Sequence, residues 1–585
     1  MMKWYGWGDY KFSFPMHEKP LLWPFICDKL GILKEHKTPP KLRSDLAISA
    51  PNLDPGFCAA IKALLKEDQY TTDDDERLHH AYGKSYANLV EARQGYIRQA
   101  PDMIVKPRCH DEVVELVRLA NLHNICVIPF GGGTNIVGGV DPDANEERMI
   151  VTVSMRLMNR VLQVDSRSQI AVIEAGATGP ELEMQLSSKG WSLGHFPDSF
   201  EYSTIGGWVA TRSAGMQSDA YGKIEDMVVS VKMVSPSGTI ITRTVPASSA
   251  GPDLNRLVCG SEGVLGIITE TSIRIHPVPA KKDYRGFLFK TFEDGISATH
   301  ECIMSGFPPS MIRLQDAGET ELAFRMKAPK KGFSGLVQKV VKKYLLATGY
   351  SAPCIMIIGF EGSPEKVSAV RTKALATIKK FDGFPLGSGV GESWSKDKFN
   401  MPYLRDYVMD HAVMCDVSET SATWTNLLPM YYATIAAIKK RFAEEQGGFG
   451  YVGCHMSHTY ETGACLYFTY AAKQIPGKEI SQYYGYKQLV TNTFMQTGAS
   501  LTHHHAVGYE HMPWMAEEIS PAGLETLRAL KTHLDPKGIL NPGKLIPAVE
   551  SKEVPATEPS WWVKAPSYVS PYSSGLKSHA IDAPH

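Results

Sequence analysis

The stretch Pro129-Phe-Gly-Gly-Gly-Thr-Asn135 follows an apolar run, Ile125-Cys-Val-Ile128, and before that Asp111-Glu-Val-Val-Glu-Leu-Val-Arg-Leu-Ala-Asn121. The last segment has the apolar period of an amphipathic helix, and the run stopped by a proline reads as a short buried strand. Consecutive glycines after a strand let backbone N–H groups converge into a nest for an anion such as a diphosphate. The segment is not G-x-G-x-x-G, because Ile136 stands where the last glycine belongs, and no Gly-Lys-Ser/Thr follows to make a Walker loop. An ordinary tight turn would use the same residues, so the assignment depends on the rest of the chain.

Three further glycine-bearing segments lie downstream: Gly194-His-Phe-Pro-Asp-Ser199, Ser203-Thr-Ile-Gly-Gly-Trp-Val-Ala-Thr-Arg-Ser-Ala-Gly215 and Cys259-Gly-Ser-Glu-Gly-Val-Leu-Gly-Ile-Ile268. Each offers hydroxyls and open backbone with few bulky side chains, as a long folded dinucleotide requires. Around them, short β runs such as 150–154, 170–174, 227–234 and 266–275 alternate with helices, which is an α+β pattern. Pro277-Val-Pro279 marks a boundary. A second α+β pattern follows over 281–500, with strands near 285–290, 354–360 and 464–471 and helices at 364–380 and 427–445. The chain then returns to helix and loop over 516–549. Residues 550–585, rich in Pro and Ser, are expected to be a disordered tail without a core.

The chain has 585 residues, enough for two or three domains with large cores, and a formal net charge of −1. No global field recruits nucleic acid, so no nucleic-acid partner is expected. No run of apolar residues is long enough to span a bilayer. The ten cysteines include no C-x-x-C pair, which argues for reduced thiols and against a zinc or disulfide frame. With no secretory leader at Met1-Met-Lys-Trp and no peroxisomal address at Asp582-Ala-Pro-His585, the expected location is cytoplasmic. Trp561-Trp562 in the tail leaves peripheral membrane contact open, since indoles favour interfaces.

The order Pro-x-Gly-Gly-Gly-Thr, Pro-Asp-Ser, Thr-x-Gly-Gly, Gly-Ser-Glu-Gly-x-Leu-Gly and Asp535-Pro-Lys-Gly-Ile-Leu-Asn-Pro-Gly-Lys544 resembles the vanillyl-alcohol-oxidase type of FAD flavoprotein. Within it the sequence is similar to the alkyldihydroxyacetonephosphate synthase family. Carrying that likeness are the Trp- and Gly-rich start, Met2-Lys-Trp-Tyr-Gly-Trp-Gly8, Gly463-Ala-Cys-Leu-Tyr-Phe468 and His503-His504-His505 before Ala-Val-Gly508. The resemblance covers about Met2 to Leu545. It implies a two-subdomain FAD-binding domain at 91–280 and an α+β cap at 281–500 over the flavin. A segment at 501–549 would return to the flavin, and 1–90 would form a helical and extended start. A tunnel for a long chain is expected in the wall of the 281–500 domain.

The resemblance also implies site residues. FAD would be lined by Pro129, Phe130, Gly131, Gly132, Gly133, Thr134 and Asn135; by Asp198, Ser199, Phe200, Glu201, Tyr202, Ser203 and Thr204; by Thr211, Arg212, Ser213 and Ala214; and by Glu262, Gly263, Val264, Leu265, Gly266, Ile267 and Ile268. Asn135 stands where the family more often has serine. No His or Cys lies inside the first loop to tether the flavin, so non-covalent FAD is expected. Tyr467 would be the catalytic acid/base, with His503, His504 and His505 as a cluster beside the flavin. Arg405 would bind the substrate phosphate, with Arg313 and His195 supporting the site.

The implied reaction replaces the acyl chain of acyl-dihydroxyacetone phosphate with a long-chain fatty alcohol. It has no net redox change, and the flavin acts as an electrophile. Removing a proton beside a ketone needs a tuned base, which tyrosinate or neutral histidine can supply. A guanidinium suits a phosphate through paired, charge-assisted bonds. Read from residue type alone, Tyr467 in its apolar run also fits a core tyrosine. Arg405 and Arg313 fit salt-bridge partners. The histidine triplet fits a metal site completed by His455, His458 or His511, although no metal is expected. In a strand, His503 and His505 would share one face and His504 the other. An FAD-dependent oxidase or dehydrogenase of a 2-hydroxy acid or phenolic alcohol is the competing function, and a non-catalytic flavin or lipid binder a third. A homodimer is compatible with all of them.

Overall fold

The strand that carries the triple-glycine loop is flanked by two segments that lie far apart in the chain. The computed structural model describes residues 2–327, 340–341 and 343–547. The expected tail at 550–585, with Trp561 and Trp562, lies outside the described residues. Leu22–Leu30 (α1) belongs to an N-terminal segment that packs on the second domain. In the first domain, Tyr70–Thr71 (β1), Met103–Val105 (β2), Cys126–Phe130 (β3) and Ile150–Ser154 (β4) form a sheet in the order β1-β2-β4-β3. Strand β4 runs parallel to β2 and β3, and a parallel arrangement needs a crossover connection. His110–His123 (α2) supplies it between β2 and β3. Val113, Leu116, Val117 and Ala120 fall at i, i+3, i+4 and i+7 and are all buried. The helix stops at Asn124, whose φ of 56° is left-handed.

A second sheet comprises Val161–Asp165 (β5), Ile170–Glu174 (β6), Val228–Ser235 (β8), Gly238–Ile241 (β9) and Ile267–Arg274 (β10). It is antiparallel in the order β5-β6-β10-β8-β9. Trp191–Ser192 (β7) pairs separately with His276–Pro277 (β11). Ile205–Thr211 (α3) carries the third glycine segment toward the first. The distant motif 535–544 closes this domain. Val127 N donates to Ile539 O and Asn541 N to Val127 O, both at 2.8 Å, so Leu540 lies as a parallel bridge beside β3. Asn541 Nδ2 then donates to the carbonyls of Gly139 and Glu262, joining the stretch just after the first glycine segment to the fourth.

The second domain is one antiparallel sheet. Its strands are Lys281–Phe289 (β12), Met311–Gln315 (β13), Cys354–Gly362 (β14), Phe384–Gly387 (β15), Val413–Thr423 (β16), Tyr451–Thr459 (β17) and Gly463–Lys473 (β18), in the order β15-β12-β14-β13-β17-β18-β16. Ala317–Arg325 (α4), Pro364–Lys380 (α5), Met401–Met409 (α6), Trp424–Gln446 (α7) and Glu479–Gln496 (α8) pack around it. In β18, Leu466, Phe468 and Tyr470 are fully buried in the core shared with α7 and α8. Burying each such side chain contributes roughly 1.5–3 kcal/mol. Successive side chains of a strand point to opposite faces, so Tyr467, Thr469 and Ala471 face the other way, into a cavity.

The N-terminal segment shares the cap's core. Trp7, Phe14, Leu22, Phe25, Ile26 and Leu30 pack with Leu322 of α4, with Tyr403, Leu404 and Val408 of α6, and with Val413. Trp7 N donates to Asp406 Oδ2 at 2.6 Å.

Asp219 fastens the two domains together. Its carboxylate accepts from Ile312 N at 2.7 Å, Thr459 N at 2.7 Å and Thr459 Oγ1 at 2.9 Å. Burial pushes its pKa up to about 6. Asp219→Ala leaves buried donors on β13 and β17 without an acceptor and should cost about 3 kcal/mol of stability. Denaturant titration would measure this, and an unmoved midpoint would mean the contact does not hold the domains.

Candidate active site

A cavity of about 530 Å³ lies between the first domain's loops and the odd-numbered face of β18. One wall is bare backbone. An added Cβ at Gly131 would overlap Thr204 Oγ1, and one at Gly132 would overlap the carbonyl oxygen of Tyr202. Gly133 has φ +64°, a left-handed conformation that L side chains rarely adopt. Only glycines therefore let the 129–135 loop abut the 202–204 loop. Asn135 serves its own loop: its Oδ1 accepts from Val137 N at 3.0 Å and Gly139 N at 2.7 Å.

The wall includes Pro129 through Asn135, Asp198, Ser199, Ser203, Thr204, Thr211, Ser213, Ala214, Glu262, Gly263, Gly266, Ile267 and Ile268. Six residues of the same segments lie elsewhere. Phe200 stacks on Phe399, Glu201 accepts from Tyr403 Oη at 3.3 Å, and Tyr202 Oη accepts from Asp9 N at 3.0 Å. Arg212 pairs with Glu225 at 3.1 Å, while Val264 and Leu265 belong to hydrophobic cores. Most residues of this wall are small or hydroxylated, and they fit a dinucleotide lying against backbone.

The opposite wall is organised by strand register. Glu419 on β16 is the direct partner of Tyr467 on β18, and Tyr467 is the direct partner of His455 on β17. Directly opposed residues share a face, so one rung presents all three side chains to the same side. The His455 ring stacks on Tyr467 with centroids 4.7 Å apart. Glu419 reaches residues 502–505. It accepts from Thr502 Oγ1 at 2.6 Å and from the backbone N–H groups of His503, His504 and His505 at 2.8, 3.0 and 2.9 Å. Burial alone would raise Glu419, but the histidines and these donors overcome it and hold the carboxyl well below the usual range.

The triplet is therefore a turn gathered on one carboxylate, so the alternation of faces that a strand would give does not arise. Its three rings cluster, with centroids 5.4 Å and 4.6 Å apart. His505 lines the main cavity. His503 lines a second cavity behind it, where Lys223 Nζ donates to its carbonyl, and His504 touches both. From the other side, Glu262 accepts from Val507 N at 2.8 Å and Gly508 N at 2.7 Å, with its own pKa pushed up to about 7 by burial. Burial holds the imidazoles neutral, with His504 lowered to about 3 and His505 to about 4. Tyr467 is raised well above its ordinary value, mainly by burial and then by Asp198 and Glu419.

Arg405, on α6, lines the cavity; Nη1 donates to Lys84 O at 2.8 Å, and Nε has no partner among the described residues. Arg313, on β13, also lines the cavity, with Nη2 3.6 Å from the Glu319 carboxylate. His195 sits one layer back. It packs on Trp208, and its Nε2 lies 3.1 Å from Ser213 Oγ. It supports the wall and does not line the cavity. Asp198 opens into the cavity yet is enclosed by protein, and burial raises its pKa. Glu419, Cys465, His503 and His504 bring four possible metal-ligand atoms within 4.8 Å of one another. The Glu419 oxygens are already engaged by backbone donors, which leaves that carboxylate poorly placed to ligate.

The cavity also has an apolar arm lined by Phe14, Phe25, Ile26, Leu30, Leu404 and Val408. The arm is walled by α6 of the 281–500 domain on one side and by α1 and its neighbours on the other. Glu419 and Glu319, which hold the site's histidines, were not legible in the sequence. Each lies far along the chain from the histidines it holds, in a segment with no motif.

Residues 101–244 match the family model for an FAD binding domain, and residues 278–545 match that for the C-terminal domain of FAD linked oxidases. A p-cresol methylhydroxylase crystal structure shares the fold at 15% identity, with a TM-score of 0.61 over 85% of this chain and 98% of that one. The molecule is an α+β flavoprotein of the FAD-linked oxidase type, and its cofactor is FAD. The alkyldihydroxyacetonephosphate synthase of Dictyostelium discoideum is 41% identical over 579 residues, 94% of each chain. A solved alkyldihydroxyacetonephosphate synthase structure is 38% identical with a TM-score of 0.80, covering 92% of this chain and 97% of that one. The chain belongs to the alkyldihydroxyacetonephosphate synthase family.

Gly132→Ala tests the bare wall. The added methyl forces the 129–135 and 202–204 loops apart, so the purified protein should lose most of its flavin absorbance while its far-ultraviolet circular dichroism is kept. Full flavin content would show that close approach of the loops is not what binds the cofactor.

Proposed function

We propose that the protein exchanges the acyl chain of 1-acyl-dihydroxyacetone phosphate for a long-chain fatty alcohol, giving 1-alkyl-dihydroxyacetone phosphate and a fatty acid. The observation that carries this reading is the joining, in one cavity, of a glycine wall, the Tyr467–His504–His505 group, Arg405 and an apolar arm. An oxidase of a small 2-hydroxy acid has no use for that arm. Bound FAD, held without a covalent link, supplies an electrophilic ring. Arg405, which lines the cavity, takes the phosphate through charge-assisted bonds. Tyr467, a phenol at neutral pH, donates a hydrogen bond to oxygen as charge develops there. Neutral His504 and His505 complete a polar floor, while the arm takes the alkyl chains and keeps water out.

The same proposal includes a cytoplasmic enzyme at a membrane surface, able to form a homodimer. No described helix is long and apolar enough to cross a membrane. Exposed Val340, Val341, Tyr344 and Leu346 follow Phe324, Met326 and Lys327 of the cavity wall and support peripheral contact.

The test uses purified yellow protein, palmitoyl-dihydroxyacetone phosphate and labelled hexadecanol without an electron acceptor. Label should enter an ether lipid with no peroxide formed. Flavin bleaching by a hydroxy acid, with no ether, would favour the oxidase. Tyr467→Phe should abolish ether formation with FAD still bound. Arg405→Ala should raise KM for the phosphate substrate about tenfold to a hundredfold, the equivalent of a lost charge-assisted bond.

A further inference from the structure

We propose that His455 is the catalytic base that takes the C1 proton of the acyl-dihydroxyacetone phosphate, with Glu319 as the residue that positions its ring. This rests on the exchange reaction above and assigns its proton-transfer step to a residue outside the histidine triplet.

The geometry separates His455 from the other imidazoles of the cavity. His455 Nδ1 lies 3.0 and 3.1 Å from the two oxygens of Glu319, so its proton sits on Nδ1 and its lone pair on Nε2. The ring lines the cavity and stacks on Tyr467. Glu319, on α4, is itself held by Gln315 Nε2 at 3.2 Å and Thr469 Oγ1 at 3.3 Å. Arg313 Nη2 lies 3.1 Å from the same Nδ1, but a protonated Nδ1 cannot accept, so the guanidinium's favourable contact is with the Glu319 carboxylate. The titratable and charged groups around His455 are Glu319, Arg313, Asp198, Tyr467, His458 and His504.

The other candidates lack this support. His504 and His505 stand 3.5 and 3.7 Å from Glu419, whose oxygens are occupied by backbone N–H groups. His458 Nδ1 is paired with Ser218 Oγ at 2.7 Å. Tyr467, stacked on the His455 ring, keeps its phenol proton under burial and the nearby carboxylates and takes the acid's part, donating to the substrate oxygen. Burial and Arg313 keep His455 below its ordinary value although Glu319 raises it, so it is neutral and able to accept at neutral pH. Burial opposes the ionisation of Glu319, but His455 and Arg313 outweigh it and hold the carboxyl below the usual range.

The step balances. The C1–H bond breaks, its proton moves to Nε2, and its electron pair enters the C1–C2 bond as the ketone becomes an enediolate, with Tyr467 O–H donating to the oxygen. Because C1 is now electron-rich, FAD, when bound, would supply the electrophilic ring that holds it while the C1–O bond to the acyl group breaks with its pair leaving on the carboxylate. The alcohol oxygen supplies the new C1–O bond, and the alcohol's proton leaves with the fatty acid. Nε2–H returns its proton to C1, so neither protons nor electrons are consumed.

The test follows wash-out of C1 hydrogen from palmitoyl-dihydroxyacetone phosphate in D2O by mass spectrometry, beside ether formation and flavin absorbance. Wild-type exchange should fall by about 100-fold or more in His455→Gln with flavin content retained. Glu319→Gln keeps the shape but removes the charge that raises His455. Its rate should drop, and the acidic limb of its kcat/KM profile should move to lower pH, whereas Glu319→Asp should restore the wild-type limb. Wild-type exchange in His455→Gln, or an unmoved limb in Glu319→Gln, would overturn the assignment and leave the exchange reaction standing. Wild-type protein with neither exchange nor ether would instead overturn the exchange reaction itself.

Discussion

A single buried carboxylate organises this site. Glu419 sits at zero side-chain exposure and has no water to solvate it. An ionised group in that position is costly unless it is hydrogen-bonded on most of its lone pairs. The backbone N–H groups of three consecutive histidines and one threonine hydroxyl meet that requirement. The requirement runs both ways: the carboxylate needs the turn, and the turn needs an acceptor for N–H groups that no strand ladder takes. This is why the triplet is a turn, and why its rings cluster at one end of Tyr467.

From there the site extends by sheet register. Opposed positions on three adjacent strands carry Glu419, Tyr467 and His455 as one rung. A slip of one residue in either pairing would send Tyr467 into the core beneath α7 and α8. The fully buried Leu466, Phe468 and Tyr470 resist such a slip, because it would bring them out into the cavity. Hydrophobic packing on one face of β18 thus fixes the chemistry presented on the other. Glu319 from α4 and Glu262 from the first domain then secure the two ends of the arrangement.

Much of the first domain could be read from residue order. The glycine segments carry local information: a run of glycines marks backbone that must approach something closely, and the overlaps at Gly131 and Gly132 show what it approaches. The helix at 110–123 and the strands at 126–130 and 150–154 follow from apolar spacing alone. Phe200, Glu201, Tyr202, Arg212, Val264 and Leu265 of the same segments turn their side chains to other partners. Within a motif, spacing says which backbone is near the cavity but not which way each side chain turns.

The sequence by itself determined the fold class, the glycine wall, and the identity of Tyr467, Arg405 and the histidine triplet as the polar residues to watch. These are local patterns or a family resemblance, and neither needs long-range geometry. Only the tertiary structure decided which of them meet, and which unmarked carboxylates hold them. Glu319 and Glu419 lie 136 and 84 residues from His455 and His503, the histidines they hold. The N-terminal helix forms half of an apolar arm that its position in the chain does not foretell. The physical reason is that burial and hydrogen-bond satisfaction are properties of the folded surroundings. A lone glutamate in a sequence carries no mark of the donors that will surround it.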